Sequence, residues 1–433
     1  MSLRGEPLPS PKQNRRLQKG WEGFFPYYAG YPEAFASSVI NQIGLRKGSV
    51  VLDPWNGSGT TTYAAAQLGF DAIGLDLNPV MVTIARARLL ASSEADSIGA
   101  LADHVVRRSQ SSSQEVDASD PLLAWFSRRS AATIRSIECG IREYLVSDLT
   151  ISTEGVMLEN LSGIAATFYV ALFALCRQLA RRLQSSNPTW LKFPSDDDQK
   201  ISERPSLLIE AFKSNLQGMA SALRNREDGK VSRRYAETQL RVADSTAPNL
   251  KRASVDLILT SPPYCTRIDY TSATRIEFAV LAPLADVEIN ELRRQMIGSI
   301  RVPVQDLSPK DEWGPTCNKL LRRIRRHPSK ASAGYYYRTH LDYFDKMSRS
   351  IASLSKTVRR SGSIVFVVQD SFYKDIHNDL PAVMVDMFGA NGLDLYRRED
   401  FRIPRSMAGI NRYTKLYKRD PGATEAVLFF AKA

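Results

Sequence analysis

The sequence has 433 residues, enough for one domain with a large insertion or for two domains. Hydrophobic residues make up 43% of it, an ordinary share for a globular protein with a sizeable core. The net charge of +12 at pH 7 favours a polyanionic partner, nucleic acid above all, although solubility alone would also explain an excess of lysine and arginine.

Cysteine usage and hydropathy exclude several classes of protein. The four cysteines are too far apart for a zinc or redox motif and too few for a disulfide framework; they are Cys139, Cys176, Cys265 and Cys317. Residues 1–20 lack the apolar region of a signal peptide. The longest apolar run, residues 164–176, is shorter than the roughly 20 residues of a membrane helix. We therefore expect a soluble cytoplasmic protein with reduced thiols, no membrane segment and no metal.

The first predicted elements are a disordered basic arm, an aromatic stretch and a helix. The arm covers residues 1–20, and the stretch at residues 24–32 is dense in phenylalanine and tyrosine. The helix covers residues 33–43 and is predicted to end at Gly44, since glycine commonly ends helices.

A glycine-rich segment then joins a strand to a helix. The strand covers residues 49–53, the segment residues 54–62, and the helix residues 63–68. Such a connection lets the backbone approach a ligand closely and presents amides from the start of the helix. It has neither the lysine of a P-loop nor the spacing of the dinucleotide motif.

The next strand, residues 72–76, ends in an acidic residue. Asp76 follows the glycines by about 20 residues, a position that suits the hydroxyls of a ribose. The alternative is that Asp76 caps the next helix, which Pro79 is predicted to open and which extends to Leu89.

Residues 91–235 interrupt the alternation of strands and helices. The serine-rich segments at 92–93 and 109–113 are predicted to be linkers. Three stretches between residues 134 and 223 repeat apolar residues at helical spacing, which predicts at least three inserted helices with buried faces. Residues 187–193 either present an aromatic side chain to a ligand or anchor a loop.

Two further strands carry the most distinctive sequence. The strand at residues 239–244 ends at Asp244, and the strand at residues 254–259 runs into Thr260-Ser261-Pro262-Pro263-Tyr264. Proline fixes φ and removes an amide donor, so carbonyl oxygens are left as acceptors beside a serine hydroxyl and an aromatic ring. Because ligands bind at the carboxyl ends of parallel strands, this loop is predicted to hold a planar group with an exocyclic amine. A proline turn with a packing tyrosine is the alternative.

A basic region follows at residues 285–350. Four arginines between 322 and 326 precede Tyr335-Tyr336-Tyr337-Arg338. Arginines interleaved with aromatics suit phosphate contact and base stacking, although a solvated helix face would have the same composition. The remaining predicted strands cover residues 363–368, 394–398 and 425–430.

Two motifs together resemble those of the S-adenosylmethionine-dependent DNA amino-methyltransferases, which modify cytosine N4 or adenine N6. The family's cofactor motif Asp-Pro-Phe-x-Gly-x-Gly-Thr-Thr stands here as Asp53-Pro54-Trp55-Asn56-Gly57-Ser58-Gly59-Thr60-Thr61, with tryptophan in place of phenylalanine. Its catalytic motif stands as Ser261-Pro262-Pro263-Tyr264. The resemblance covers residues 20–90 and 239–300 well, and the segment 91–235 has no counterpart.

The resemblance implies an α/β fold: a Rossmann-like class I methyltransferase sheet, mostly parallel and seven-stranded, with a large helical insertion. It divides the chain into a cofactor-binding half (21–90), the insertion (91–235) and a catalytic half (236–433). S-adenosyl-L-methionine is the implied cofactor, bound by Phe25, Tyr27, Asp53, Pro54, Trp55, Gly57, Gly59, Thr60, Thr61, Asp76, Asn78 and Asp244. Double-stranded DNA is the implied partner, contacted by Arg322, Arg323, Arg325, Arg326, Tyr336, Arg338, Arg405 and Arg412.

The implied chemistry is methyl transfer to a base that has left the duplex. Ser261 and the Pro262 carbonyl would accept hydrogen bonds from the amino group of the base, Pro263 would hold the loop, and Tyr264 would stack on the ring. No covalent intermediate is needed, so Cys265 is interpreted as a packing residue.

Serine at the first loop position resembles the cytosine-N4 enzymes, and adenine N6 is the alternative target. A guanine-N2 methyltransferase of RNA and a non-catalytic DNA-binding subunit are further alternatives. A restriction enzyme or another defence protein is a conceivable partner.

Overall fold

Eleven strands and thirteen helices make up the described part of the computed structural model, which covers residues 7–12, 24–25, 30–111, 114–146, 151–152, 155–156, 158–185, 191–226, 236–265, 269–285, 287–302, 306–403 and 423–432. The strands are β1 (Val50–Asp53), β2 (Asp71–Asp76), β3 (Ile151–Ser152), β4 (Gly155–Val156), β5 (Thr238–Val242), β6 (Val255–Thr260), β7 (Val358–Gln369), β8 (Ser371–Tyr373), β9 (Ile376–Asn378), β10 (Leu393–Ile403) and β11 (Ala423–Lys432).

Helices follow one another in two places in the described part: five lie between β2 and β5, interrupted only by the short strands β3 and β4, and five lie between β6 and β7. They are α1 (Glu33–Ile43), α2 (Thr60–Gln67), α3 (Pro79–Arg88), α4 (Ser97–Ser111), α5 (Arg128–Leu145), α6 (Gly163–Leu179), α7 (Pro205–Arg224), α8 (Tyr270–Ala273), α9 (Arg275–Leu281), α10 (Ile289–Gln295), α11 (Gly314–Arg326), α12 (Tyr337–Thr357) and α13 (Leu380–Gly389).

Seven strands form one sheet in the order β5-β2-β1-β6-β7-β11-β10. All neighbours from β5 to β7 are parallel, and β11 runs antiparallel to both β7 and β10. This arrangement confirms the predicted Rossmann-like sheet. The chain order reverses direction at β1 and β6, so a crevice opens at the carboxyl ends of these two strands, where α/β folds bind ligands.

Two apolar cores cover the two faces of the sheet. Side chains alternate between them along β6, since Leu257 and Leu259 join one core and Ile258 joins the other. The first core packs α1 against the sheet through Phe35, and the second packs α12 and α13 against it through residues such as Phe344. Burial on both faces explains why β6 is almost continuously apolar in the sequence.

The helices between β2 and β5 have a core of their own. Residues of α4, α5, α6 and α7 pack together there, and α3 and α9 contribute to the same cluster. The apolar stripes predicted from helical spacing supply most of this core, among them Ile134, Phe168 and Phe212, each with 0% exposure. The segment Gly163–Leu183 is long and apolar enough to span a membrane, yet most of it is buried inside the protein, as in the core helix of a soluble protein.

The predicted helix boundaries are accurate where a cap residue marks them. Helix α1 ends at Gly44 in the left-handed conformation with φ 70°, and Asn78 caps α3 by accepting from the Val80 amide at 3.0 Å. Helix α2 begins at Thr60, three residues before the predicted start. Gly59 takes a left-handed turn with φ 80°, so the threonines are already helical.

Two predictions about irregular segments differ from the structure. Helix α4 continues through Ser111 instead of becoming a linker at 109, because Ser109 and Ser111 donate their hydroxyls to carbonyls three residues earlier in the helix. Residues 112–113 lie outside the described part. In the predicted disordered arm, Leu8 is buried and belongs to the same core as Phe35.

Candidate active site

One cleft of about 970 Å³, including space open to solvent, lies at the carboxyl ends of β1 and β6. Its walls bring together most of the residues predicted from the two motifs. These are Asp53, Pro54, Trp55, Gly57, Thr60, Thr61, Asp76, Asn78, Ser261, Pro262, Pro263 and Tyr264.

The segment Pro54–Gly59, named here the glycine loop, is tied to β6 through Asp53. The Asp53 carboxylate, 4% exposed, accepts from the hydroxyls of Thr61 at 2.5 Å and Thr260 at 2.6 Å. It also accepts from the Trp55 amide at 3.1 Å. Burial raises the pKa of Asp53 to about 6, against the effect of these hydrogen bonds. One carboxylate therefore joins the cofactor motif to the end of the strand that carries the catalytic motif.

Asp76 holds the opposite side of the glycine loop. Its carboxylate accepts from the Gly57 amide at 3.0 Å and from the Asn78 amide at 2.8 Å. Burial raises its pKa to about 6, although both hydrogen bonds favour the charged form. Each carboxylate oxygen has a second lone pair, so Asp76 keeps acceptor capacity toward the cleft.

Asn78 lines the cleft, but its side chain already has two structural partners. Its Oδ1 caps α3, and its Nδ2 donates to the Thr274 hydroxyl at 2.9 Å. Thr274 also lines the cleft and follows α8. Asn78 thus connects the cofactor side of the cleft with the segment that follows the catalytic motif.

Residues 261–264, named here the Pro-Pro-Tyr loop, are held from below by two tyrosines. The Pro263 carbonyl accepts from the Tyr343 hydroxyl at 2.9 Å, and the Tyr264 amide donates to the Tyr270 hydroxyl at 3.3 Å. Burial raises the pKa of Tyr270 to about 12, and it also raises the pKa of Tyr264, with Glu425 adding to the effect. Both phenols are therefore protonated at neutral pH.

Gly298 completes the support of the Pro-Pro-Tyr loop. It has φ of +78°, and a Cβ at this position would lie 3.0 Å from the Tyr264 carbonyl oxygen. Cys265 is buried beside it, where it faces Tyr343 and His340. Its predicted role in packing agrees with this position.

Three predicted cofactor residues lie away from the cleft walls, and Tyr27 lies outside the described residues. Phe25 packs in the core of the inserted helices, with the Arg177 guanidinium 4.9 Å from its ring centroid. Gly59 lies against α3, where an added Cβ would be 2.8 Å from the Ala85 Cβ. The Asp244 carboxylate accepts from the Thr246 amide at 2.8 Å, while its neighbours Ala243 and Ser245 line the cleft.

The predicted DNA-contact arginines lie on one exposed helix face. Helix α11 buries Cys317, Leu320, Leu321 and Ile324 and exposes Arg322, Arg323, Arg325 and Arg326. Arg338 is exposed on α12, and Tyr336 is half-buried against Tyr335 and Tyr373. Arg405 and Arg412 lie outside the described residues. None of the described residues in this set lines the cleft.

Several cleft residues carry no signal in the sequence. Tyr31 belongs to the predicted aromatic stretch, but only the structure shows its hydroxyl 2.6 Å from that of Thr61. Tyr270, Met296 and Ile297 line the cleft from the segment after the catalytic motif. Tyr343 is 80 residues from its partner Pro263, a separation at which no motif predicts contact.

Comparisons with known proteins identify relatives of this chain. The family model N6_N4_Mtase, described as DNA methylase, matches residues 7–87. The type II methyltransferase M.AvaI of Nostoc sp. strain PCC 7120 is 23% identical over 359 residues, covering 79% of this chain and 73% of the relative. M.BsoBI of Geobacillus stearothermophilus is 41% identical over 54 residues, covering 12% of this chain and 11% of the relative.

Among solved structures, the rRNA methyltransferase aviRa from Streptomyces viridochromogenes matches with a TM-score of 0.28 and 11% identity, over 93% of this chain and 87% of that chain. A further curated relative is M.SmaI of Serratia marcescens, 33% identical over 91 residues, which are 20% of this chain and 31% of the relative. The residues that the family model matches include the cofactor motif at residues 53–61. This chain is therefore similar to the DNA methylase family at its cofactor motif and to a type II methyltransferase over most of its length, and its methyl donor is S-adenosylmethionine.

Proposed function

We propose that this protein transfers a methyl group from S-adenosylmethionine to the N4 amine of cytosine in a specific sequence of double-stranded DNA. The observation that supports it is the meeting of the glycine loop and the Pro-Pro-Tyr loop in one cleft, with Asp53 joined to both sides. The choice of cytosine rests on Ser261, which resembles the cytosine-N4 enzymes of the family.

The cofactor would lie along the glycine loop. When bound, it supplies an electrophilic methyl group on a sulfonium. The Asp76 carboxylate is placed to accept from ribose hydroxyls because it faces the cleft with lone pairs to spare. The adenine would lie at the turn after β5, where Ala243 and Ser245 line the cleft beside the predicted contact Asp244. The chemistry of the walls fits the cofactor, since a glycine-rich turn lies beside a carboxylate with spare acceptor capacity.

The target base would enter the cleft after leaving the duplex. Ser261 and the Pro262 carbonyl would accept hydrogen bonds from its amino group, so the nitrogen lone pair would face the methyl donor. Tyr264 would stack on the ring. Catalysis by these residues is positioning and electrostatic stabilisation, without a covalent enzyme intermediate.

The division into a cofactor half, an insertion and a catalytic half is part of this proposal, as is a cytoplasmic location beside DNA. A restriction enzyme is a proposed partner only by analogy with type II systems. The intact Asp53 and Ser261 motifs argue against a non-catalytic subunit, and the DNA methyltransferase relatives argue against an RNA substrate.

The test is modification-sensitive sequencing of DNA from a methylation-free bacterial host that expresses the protein. A double variant, Ser261→Ala with Tyr264→Ala, serves as the matched control. We expect N4-methylcytosine at one short motif with the wild type and no mark with the variant. N6-methyladenine would show that the target base is adenine and not cytosine. A mark that persists in the variant would refute the proposed catalytic loop.

A further inference from the structure

A cluster of arginines lies close to the Pro-Pro-Tyr loop in the sequence: Arg275 precedes the basic region 285–350 that is predicted to contact DNA, and Arg293 and Arg301 lie at the start of that region. Arg275 is the first residue of α9 and follows Thr274, which lines the cleft. Arg293 on α10 forms a buried ion pair with Asp269, which caps α8. The Arg301 side chain is exposed, and its charge acts on Arg275.

The cluster carries more positive charge than its surroundings neutralise. Burial lowers the pKa of Arg275, and so do the charges of Arg293 and Arg301, while only Asp269 opposes them. The Asp269 carboxylate is already occupied, since it also accepts from the Thr271 hydroxyl at 2.7 Å and the Ser272 amide at 3.0 Å. Among the described residues, only Arg293 of the three forms an ion pair with this engaged carboxylate.

Arg293 adds an unused donor to this excess of charge. Its side chain is 6% exposed, and its Nε has no hydrogen-bond partner among the described residues. A buried guanidinium donor without an acceptor is destabilising unless a ligand supplies one. Like charges held together and an unpaired donor both indicate that an anion belongs here.

The inserted helices supply an aromatic wall to the same place. Phe193 is 53% exposed and stacks on the buried Trp125, with ring centroids 5.1 Å apart at 23°. The Arg275 guanidinium lies 5.6 Å from the centroid of the Phe193 ring. The contact with the exposed Phe193 ring restrains the orientation of the Arg275 guanidinium. It also brings the insertion, to which Phe193 belongs, next to the arginine cluster.

We propose that Arg275, Arg293 and Arg301 bind a phosphodiester group of the DNA strand that carries the target base. This inference rests on the proposed function. A base that leaves the duplex remains attached to its backbone, so flanking phosphates must lie near the cleft, whose wall residue Thr274 directly precedes Arg275. Arginine is the side chain best suited to bind phosphate through paired N–H groups. The Phe193 wall then makes the insertion part of the DNA surface.

The test compares a double variant, Arg275→Gln with Arg301→Gln, with a charge-matched control. The control, Lys251→Gln with Arg252→Gln, removes two exposed charges just before β6, at the opposite end of the strand from the cleft. Binding of a short DNA duplex is followed by fluorescence anisotropy across a series of salt concentrations with S-adenosylhomocysteine present. The Km for unmethylated bacterial DNA is measured in parallel.

Each lost phosphate contact should flatten the slope of log K against log salt by about 0.9, which is about 3.5-fold in affinity for a fourfold change in salt. We expect the double variant to show a flatter slope, weaker binding and a higher Km for DNA, with unchanged affinity for S-adenosylhomocysteine. The control should keep the wild-type slope.

A double variant with the wild-type slope and Km, or a control that loses as much as the double variant, overturns the phosphate site. If Arg275→Gln prevents folding, Arg301→Gln alone decides, because Arg301 is exposed and should lose one contact. A wild type that marks DNA while the slope is unaffected by the variants refutes only the phosphate site. A wild type that neither binds nor marks DNA refutes the proposed function as well.

Discussion

Replacing Tyr343 with phenylalanine removes a single hydroxyl group from beneath the Pro-Pro-Tyr loop. The ring is 1% exposed and packs edge-on against Phe344 with centroids 5.3 Å apart, so phenylalanine keeps the packing. What is lost is the hydrogen bond to the Pro263 carbonyl, which is left without that donor. An unsatisfied buried acceptor costs about 1–3 kcal/mol. If the loss falls on the loop alone, its productive conformation becomes about 5 to 150 times less populated.

The assay separates the turnover number from cofactor affinity. We expect Tyr343→Phe to lower kcat within that range and to leave the affinity for S-adenosylhomocysteine unchanged, because Asp53 and Asp76 make no contact with Tyr343. Tyr169→Phe is the matched control, since the Tyr169 hydroxyl is equally buried but donates to Glu138 at 3.0 Å in the core of the inserted helices. Both variants should lose thermal stability, and only Tyr343→Phe should lose kcat. Wild-type kcat in a destabilised Tyr343→Phe protein would refute a positioning role for this hydroxyl.

Three more outcomes are expected. Tyr264→Ala should raise the Km for DNA and lower kcat while calorimetry shows unchanged S-adenosylhomocysteine affinity; an equal loss of cofactor affinity would make the ring structural. Because burial raises the pKa of Asp76 to about 6, its anionic form predominates only above that pH. Cofactor affinity should therefore fall as the pH drops through about 6. Asp76→Asn should bind weakly and keep only the part of this dependence that comes from Asp53, whose pKa is also about 6; a flat wild-type curve would contradict this role. Gly298→Ala should destabilise the fold by about 1–2 kcal/mol in thermal melts, from its positive φ and the 3.0 Å approach to Tyr264. Gly99→Ala, which has open space around it, should be neutral or stabilising, and equal losses at both sites would refute the steric argument.

The sequence predicts the strands and the tips of the cleft because their signals are local. A buried parallel strand is a short apolar run, and Asp53, Asp76 and Ser261 each stand directly at the end of one. The mostly parallel, seven-stranded sheet is predicted from the resemblance of the motifs, whereas the order of its strands is not. For these features, neighbouring residues carry the information.

The contacts that hold the site together are not local, and the sequence does not predict them. Tyr343 reaches Pro263 from a helix 80 residues away, and Asn78 meets Thr274 across 196 residues. Phe25 is a related case. The aromatic motif predicts that it lies near the cofactor, but its side chain packs in the core of the inserted helices. The serine-rich composition around Ser109 predicts a linker. The Ser109 hydroxyl instead donates to a carbonyl of the same helix, so the helix continues.

The hydrogen bonds of Asp53 have a consequence for how such an enzyme can change over evolution. Thr61 belongs to the helix after the glycine loop, and Thr260 immediately precedes the Pro-Pro-Tyr loop, yet both donate to the same carboxylate. A substitution at either threonine changes the acceptor that the other one uses, so their effects should be epistatic rather than additive. Target preference and donor binding then cannot drift independently. A lineage that acquires a new target base through the Pro-Pro-Tyr loop must do so with compensating changes around the methyl donor.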